Sequence, residues 1–350
     1  MISNKKPFYS LTKPLMEYLK EHNRLYNNLL SYDDLLRYAG AVNVYDSDGE
    51  DTLWLRVFYM EHERSEIDFE LKRIYTALMS DGNTDMIEHL FIDAIDYCSF
   101  GNSKPFRVKI RNLFNNNYVY FYVKKLDASR VYGLELEHLL SPDNINFLAY
   151  DNTLIEEHVI GIPGDVFITK NLPSCTAIEK SQLAKEFVKF NERSLVRLLG
   201  NMRSYNYVIV PIYDFDNKLY RIRPIDFDQQ SYEGDYKNYL PQFFEENLSM
   251  VSLVRNTFTK SSIKQYKIEE RSIIAKRILS TRSRIEKLLQ CMRDDSISSP
   301  SKIKLLSLYF YNLTGDIKFK NIVSMGVLLT NLFNYIIVNN EKPKIIKEVL

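Results

Sequence analysis

The character of the sequence changes twice along its length, and these changes restrict the chain to a mixed fold. Residues 89–168 alternate apolar and polar side chains in the manner of β-strands, with turn-forming residues between them. From Cys175 onward the spacing is mostly helical, interrupted by a hairpin at residues 207–225. Strands gathered in one part of a chain and helices in another predict an α+β protein.

Residues 1–88 are predicted to form a helical extension. Leucines at helical spacing run from about Leu11 to Leu36, and a second apolar stripe follows Ser65, which we expect to cap a helix ending at Met79. Between them, residues 43–52 contain four acidic side chains. The alternating ligands and final glutamate of a calcium loop are missing there, so we expect a solvated turn.

Within residues 89–168 we predict an antiparallel sheet of about five strands with one helix inserted after the third. The expected strands are residues 89–97, 106–114, 118–126, 145–150 and 154–160, and the helix is residues 130–140. The third strand is dense in aromatic and β-branched residues, which favour a pleated sheet.

Composition excludes several classes of protein. Lys and Arg total 46 against 45 Asp and Glu, so the net charge of +1 gives no basic excess that would indicate a nucleic-acid partner. The three cysteines, Cys98, Cys175 and Cys291, are far apart, which predicts a reducing, cytoplasmic location without disulfides or a zinc site. Residues 319–338 are long enough to span a membrane, but Lys320 and three asparagines interrupt them, so we expect a buried helix and no membrane partner.

The most specific pattern is G-N-M-R-S-Y-N at residues 200–206, followed after the hairpin by I-D-F-D at residues 225–228. Asn206 and Asp226 would offer an amide carbonyl and a carboxylate, the hard oxygen ligands that Mg²⁺ prefers. The hairpin between them is expected to bring both to one place. Position 201 lies five residues before Asn206.

These motifs resemble the catalytic core of the protein-kinase-like superfamily, in the branch of aminoglycoside phosphotransferases, lipid kinases and toxin kinases. There the catalytic loop often reads G-D-x-H-x-x-N, and a strand pair leads to I-D-F-G or I-D-W-E. In this chain Gly200, Arg203 and Asn206 occupy the Gly, His-or-Arg and Asn positions, and Asp226 stands at the metal-binding Asp. The resemblance covers about residues 89–250.

The resemblance implies a bilobal fold. Residues 89–160 would form an N-lobe with an antiparallel sheet and one helix, and residues 161–350 a helical C-lobe with the catalytic and metal-binding loops. Lys124 or Lys125, on opposite faces of the third strand, would bind phosphate. We prefer Lys124, because F-Y-V-K ends there much as V-A-I-K ends at the kinase lysine.

Further nucleotide-binding roles are implied by the same resemblance. On the helix after the third strand, either Glu135 or Glu137 would hold the lysine. The loop between the first two strands would cover the phosphates, and hinge backbone at residues 158–160 would hydrogen-bond adenine. The residues concerned are Gly101, Ser103 and Lys104 in the loop, and His158 and Ile160 in the hinge. ATP and Mg²⁺ are the implied cofactors.

Position 201 departs from the family, because Asn201 stands where the catalytic Asp is expected. An amide cannot take a proton, although it can still hydrogen-bond a hydroxyl. Three explanations are open: a pseudokinase that binds nucleotide without transfer, a slow kinase, or an active enzyme in which Asn was introduced.

The expected function is ATP- and Mg²⁺-dependent phosphoryl transfer to a hydroxyl on an unknown protein or small-molecule acceptor. The alternative is a nucleotide-binding pseudokinase that serves as a regulatory or interaction module. A third hypothesis takes the motifs as accidental and the chain as a helical scaffold.

Overall fold

Residues 6–27, 30–79, 84–214 and 217–339 are described by a computed structural model of the chain. The chain divides into two units: unit 1 comprises Met1–Ala128 and Ile145–His158, and unit 2 comprises Ser129–Asn144 and Val159–Leu350. The last change of unit, after His158, falls at the predicted hinge. The predicted boundary after residue 88 lies inside unit 1.

Unit 1 is built on a seven-stranded sheet. Its strands are β1 (Gly40–Tyr45), β2 (Asp51–Phe58), β3 (Leu90–Cys98), β4 (Phe106–Asn112), β5 (Tyr118–Lys125), β6 (Phe147–Tyr150) and β7 (Thr153–Glu157). Its helices are α1 (Lys13–Glu21), α2 (Tyr32–Leu35) and α3 (Glu61–Met79), and a 3₁₀ turn, Thr84–His89, leads into β3. The strand order is β1-β2-β3-β4-β5-β7-β6, and each neighbouring pair is antiparallel.

One face of this sheet forms the core of unit 1. Phe121 and Val123 of β5 belong to the same buried cluster as Ile67 and Leu71 of α3. Because successive side chains of a strand point to opposite faces, Tyr122 and Lys124 of β5 point to the other face of the sheet. The predicted strands at residues 89–160 and the α+β class are confirmed.

The prediction of a helical segment over residues 1–88 is wrong for residues 40–58, which form the β1–β2 hairpin. Residues 46–50 of the acidic segment form the turn of this hairpin. Most β1 side chains are exposed, so β1 lacks the apolar alternation by which a half-buried strand is recognised. Its place in the sheet depends on β2, which pairs with β3 through Trp54↔Cys98 and its neighbours.

The predicted helix boundaries also shift. The helix expected over residues 11–36 is interrupted after α1, because Asn23 takes a left-handed conformation (φ 55°) and residues 24–26 run along β6 instead. Helix α3 begins at Glu61, so Ser65 lies inside the helix and does not cap it.

Unit 2 is mostly helical. Its helices are α4 (Ala128–Leu140, from Ser129 onward), α5 (Gly164–Val166), α6 (Ala177–Arg197), α7 (Leu248–Thr257), α8 (Lys260–Ser280), α9 (Arg282–Arg293), α10 (Pro300–Thr314) and α11 (Met325–Asn339). Strands β8 (Ile162–Pro163), β9 (Tyr207–Asp214) and β10 (Asn217–Pro224) form a small sheet in the order β10-β9-β8.

Helix α6 is the central element of unit 2 and packs against α7, α8 and β10. The predicted helix after the third strand is confirmed as α4, and most of the segment considered as a membrane span forms α11, whose Leu328 and Leu329 are buried. Over the described ranges of the chain, no helix has both the length and the apolar character needed to cross a membrane.

Candidate catalytic and metal-binding loops

Helix α6 ends where the candidate catalytic loop begins. The helix starts with a capping box in which Thr176 and Glu179 exchange hydrogen bonds with each other's backbone N–H groups. It ends at Leu198, which takes a left-handed conformation (φ 54°) and turns the chain out of the helix. Asn201 is also left-handed (φ 60°), a conformation that asparagine tolerates better than most residues.

Backbone hydrogen bonds join the candidate catalytic loop, residues 198–206, to the segment after β10, residues 225–231. Near the start of the catalytic loop, Gly200 N–H donates to the Gln229 carbonyl (3.3 Å) and Ser231 N–H donates to the Leu198 carbonyl (2.8 Å), and these two bonds form the antiparallel bridge Leu199↔Gln230. The main chain therefore fixes the two loops against each other before any side chain contributes.

The β9–β10 hairpin brings the two predicted metal ligands to the same place. Tyr207, the first residue of β9, pairs with Pro224, the last of β10. The next residues are also joined, since Ile225 N–H donates to the Asn206 carbonyl at 3.0 Å. Asp226 thus follows directly on a residue bonded to Asn206, as the sequence predicts. Of the predicted turn at residues 214–217, residues 215–216 lie outside the described part of the chain.

The amide of Asn206 is oriented by the loop itself. Its Nδ2 donates to the Asn201 carbonyl at 2.8 Å, and the side chain is nearly buried. Because Nδ2 is used in this way, Oδ1 is the atom that Asn206 can offer to a metal ion.

Asp226 is oriented by a buried arginine that sequence reasoning missed. Its Oδ1 accepts from Arg130 Nη1 and from the backbone N–H of Asp228, both at 3.0 Å. Arg130, at the start of α4, also donates to Asp228 Oδ1 at 2.5 Å. One guanidinium therefore holds both carboxylates of I-D-F-D. The Arg130 and Asp226 positions are 96 residues apart, so no local motif could indicate this pairing.

Arg203 anchors the catalytic loop. Its Nε donates to Asn201 Oδ1 (3.2 Å), its Nη1 donates to Glu246 Oε1 (2.6 Å), and its guanidinium lies 5.0 Å from the ring centre of Phe244. Burial raises the pKa of Glu246, but its backbone N–H and Arg203 outweigh burial and lower that pKa overall. The loop amide at position 201 is thus held by a charged, ion-paired neighbour.

Asn247 is a second residue that sequence reasoning missed. Its Nδ2 donates to the carbonyls of Met202 (2.9 Å) and Pro241 (2.8 Å), and its Oδ1 accepts from the Tyr207 hydroxyl at 2.8 Å. Asn247 is completely buried, so it acts as an internal clamp on the loop rather than as a ligand. Its sequence context carries no signal that would single it out.

In unit 1, Lys124 and Lys125 have different surroundings. Lys124 is buried and donates to Glu156 Oε2 on the adjacent strand β7 at 2.7 Å. Lys125 is partly exposed, and its ammonium lies 5.3 Å from the ring centre of Phe8. Glu156 was not among the predicted site residues, although it stands two residues before the hinge.

The two glutamates predicted to hold the lysine both have arginine partners within unit 2. Glu135 accepts from Arg284 at 2.9 Å through both carboxylate oxygens, and Glu137 accepts from Arg197 of α6. The pairing of Glu135 or Glu137 with Lys124 would involve residues of both units, and it stays a prediction.

The predicted phosphate-covering loop closes as a tight turn between β3 and β4. Lys104 N–H donates to the Gly101 carbonyl at 3.2 Å, and the Lys104 carbonyl accepts from the Tyr32 hydroxyl at 2.9 Å. Lys104 is left-handed (φ 42°) and its side chain is exposed, whereas Ser103 is buried. The basic side chain therefore faces solvent from a fixed backbone.

The predicted hinge begins directly after Glu157, which forms the last residue pair between β5 and β7 with Phe121. His158 Nδ1 lies 3.1 Å from the Tyr122 hydroxyl, and burial, with a contribution from Arg107, lowers its pKa. No backbone hydrogen bond within the described ranges uses the N–H of Val159 or Ile160, and Ile160 is largely exposed. These N–H groups can serve as donors to a ligand.

The donor set matches one class of metal better than others. Within the ranges that the structure describes, no group of three or more His, Cys, Asp or Glu side chains could hold a metal ion. Asn206 and Asp226 could supply two hard oxygen ligands, a set that would suit Mg²⁺ because this ion usually keeps several waters.

In sequence comparisons, no model of a known protein family matches the chain, and no curated protein is significantly similar to it.

Proposed function

We propose that the chain is a protein-kinase-like phosphotransferase, with unit 1 as the N-lobe and unit 2 as the helical C-lobe. The reaction is transfer of the terminal phosphoryl group of ATP to a hydroxyl on a protein or small-molecule acceptor. One observation carries the proposal: the loops at residues 198–206 and 225–231 are hydrogen-bonded together, so that Asn206 and Asp226 lie at one end of the β9–β10 hairpin.

In this proposal Asn206 Oδ1 and Asp226 hold Mg²⁺. The ion would neutralise charge on the nucleotide phosphates. Arg130 supports this role, because it orients Asp226 through Oδ1 and Asp226 keeps partial exposure at 26% of its side-chain area. Lys124 is assigned to the phosphates by the family resemblance, with Glu156 as the carboxylate that orients its ammonium.

Asn201 decides between catalysis and binding alone. Its amide accepts a hydrogen bond from Arg203, and it can hydrogen-bond an acceptor hydroxyl, but it cannot accept that hydroxyl's proton. The second candidate function, a nucleotide-binding pseudokinase that regulates a partner, rests on this residue. A slow kinase and an active enzyme carrying an introduced Asn remain the other two explanations.

The proposal is tested by thermal unfolding with ATP, with Mg²⁺ and with both together. A ligand that binds only the folded state stabilises it by about 2.7 kcal/mol at a hundredfold excess over Kd. We expect the unmodified chain to be stabilised most by the combination. Asp226→Asn should abolish the added effect of Mg²⁺, since it removes the anionic ligand and keeps the side-chain shape.

The matched control is Asp228→Asn, because Asp228 shares Arg130 with Asp226 and lies two residues away. This variant should keep the Mg²⁺-dependent shift. No shift in the unmodified chain would contradict nucleotide binding, and equal shifts in the unmodified chain and Asp226→Asn would contradict the metal role.

A further inference from the structure

The two carboxylates of I-D-F-D share one buried cation. Arg130 Nη1 lies 3.0 Å from Asp226 Oδ1 and 2.5 Å from Asp228 Oδ1. The Arg130 side chain is 2% exposed, whereas those of Asp226 and Asp228 are 26% and 12% exposed. Since both oxygens approach the same nitrogen, the two carboxylates lie close together, and the guanidinium is the most deeply buried of the three groups.

The stability of this arrangement depends on the charge of Arg130. Two carboxylates at such a short separation repel each other, and the repulsion is larger where water is mostly excluded. The guanidinium offsets that repulsion, and the carboxylates in turn compensate the cost of burying a positive charge. Removing the charge of Arg130 should therefore leave two neighbouring carboxylates that destabilise the fold.

Hydrogen bonds restrict how far the two carboxylates can move apart. Asp226 Oδ1 accepts the backbone N–H of Asp228 at 3.0 Å, which ties these residues to each other. Ser129, the neighbour of Arg130 on α4, donates its hydroxyl to the Gln230 carbonyl at 2.7 Å. Helix α4 therefore holds this segment by a hydrogen bond as well as by ion pairs. Because the segment is fixed, a cation has to offset the repulsion.

We propose that Arg130 is an internal counter-ion, which holds Asp226 and Asp228 together without a metal ion and lowers the affinity of this site for free Mg²⁺. The inference rests on the metal role proposed above for Asp226. A divalent cation bound to Asp226 would lie near the guanidinium, and like charges oppose each other. Mg²⁺ alone therefore binds weakly, and the negative phosphates of ATP are needed to hold it. Arg130 acts through Asp226 and is a positioning residue.

Thermal unfolding in EDTA and in increasing Mg²⁺, without nucleotide, tests this proposal. Arg130→Met keeps most of the side-chain bulk and removes its charge, so it should melt below the unmodified chain in EDTA. Mg²⁺ should then raise its melting temperature, with an apparent Kd at least about tenfold lower than for the unmodified chain. Sodium chloride at matched ionic strength separates metal binding from screening.

The matched control is Arg197→Met. Arg197 is equally buried (2% exposed), but it pairs with Glu137 and not with the carboxylates of I-D-F-D. This variant should also lose stability in EDTA, and it should gain no response to Mg²⁺. A loss of packing alone would make the two arginine variants behave alike.

A double variant keeps the proposal testable if Arg130→Met does not fold in EDTA. Adding Asp228→Asn to Arg130→Met removes the repulsion as well, so the double variant should melt above Arg130→Met. A double variant no more stable than Arg130→Met would overturn the counter-ion role, as would an Arg130→Met chain as stable as the unmodified one. A Mg²⁺ response of Arg130→Met no stronger than that of the unmodified chain would overturn the effect on metal affinity.

These measurements also separate this inference from the proposed function. A Mg²⁺-dependent shift with ATP in the unmodified chain, together with an Arg130→Met variant that ignores Mg²⁺, would overturn the inference and leave the proposed function standing. No shift with ATP and Mg²⁺ in the unmodified chain, together with an Arg130→Met variant that responds to Mg²⁺, would overturn nucleotide binding and support the counter-ion.

Discussion

The loops of unit 2 and the central strands of unit 1 hold their candidate nucleotide-binding groups in different ways. In unit 2, backbone hydrogen bonds join residues 198–206 to residues 225–231. Buried Asn247 also holds the first of these loops, through its hydrogen bond to the Met202 carbonyl. In unit 1, Lys124 is held through its charge, by an ion pair with Glu156 in which both side chains are almost completely buried.

The main chain therefore sets the geometry of the unit 2 loops, whereas a charge sets the position of Lys124 in unit 1. Where the main chain sets the geometry, a side chain can be exchanged for one of similar shape, and mainly the chemistry should change. Where a buried ion pair sets it, removing one charge should disturb folding as well as binding. Three substitutions test the contrast, in order of expected effect.

The largest expected effect is at position 201. Asn201→Asp should raise phosphoryl transfer by about 10² to 10⁴, the usual contribution of a general base, with little change in stability. Aspartate tolerates the left-handed backbone found there, and Arg203 can donate to either side chain. The measurement is phosphate incorporation from ATP with cell extract as the acceptor pool, and Asn201→Ala is the control without a base.

Equal transfer by the Asn and Asp forms would show that position 201 is not the base. No transfer by either form, together with intact Mg²⁺-dependent ATP binding, would favour the pseudokinase. A large gain would identify the present chain as a silenced or slow kinase.

The second effect compares the neighbouring lysines. Lys124→Met removes the ammonium that donates to buried Glu156, so we expect a loss of about 3–5 kcal/mol in the free energy of unfolding, measured by urea denaturation. Lys125→Met should change it by no more than about 0.5 kcal/mol, because Lys125 is partly exposed. ATP affinity should fall in Lys124→Met only.

Adding Glu156→Gln to Lys124→Met should restore part of the lost stability, because it removes the buried carboxylate that Lys124→Met leaves without its ammonium. An equal loss of unfolding free energy in Lys124→Met and Lys125→Met would contradict this explanation. It would show that the buried ion pair of Lys124 is not what makes the first variant unstable.

The smallest effect concerns the start of α6, the helix that carries the catalytic loop. The Thr176 backbone N–H, followed by the Tyr220 hydroxyl, lowers the pKa of Glu179 to about 2. A carboxyl whose folded pKa lies below its ordinary value of 4.5 stabilises the fold above that value and loses this effect as the pH falls towards 2.

Glu179→Gln should therefore be less stable than the unmodified chain near neutral pH, and the difference in melting temperature should shrink in acid. Glu17→Gln, a change at an exposed glutamate of α1, is the control and should show no such trend. A difference in melting temperature that stays constant with pH would show that the charge of the Glu179 carboxylate is not the cause of the lost stability.

Local patterns were sufficient for the elements whose signals lie within a few residues. The strand patterns of β3, β4 and β5, the short helix α4 after Ser129 and the β9–β10 hairpin are all read from adjacent positions, and their bounds were predicted closely. The approach of Asn206 to Asp226 followed too, because a hairpin must bring together the residues at its two open ends.

The failures share a physical cause. β1 is exposed on both faces, so its assignment as a strand depends on pairing with β2 rather than on its own pattern. The break between α1 and α2 depends on residues 24–26 finding the edge of β6, more than a hundred positions away. Neither event leaves a trace in the local spacing of apolar side chains.

The sequence by itself determined the α+β class, the five strands from β3 to β7, the β9–β10 hairpin, and the chemical types available at positions 201, 206 and 226. Only the tertiary structure decided which partners those groups take: Arg130 for Asp226, Arg203 for Asn201, and Glu156 for Lys124. Arg284 and Arg197 were likewise revealed as partners of Glu135 and Glu137 only by folding. The reason is that secondary structure follows from neighbours along the chain, whereas a buried charge must be matched by whichever opposite charge the packing brings within reach.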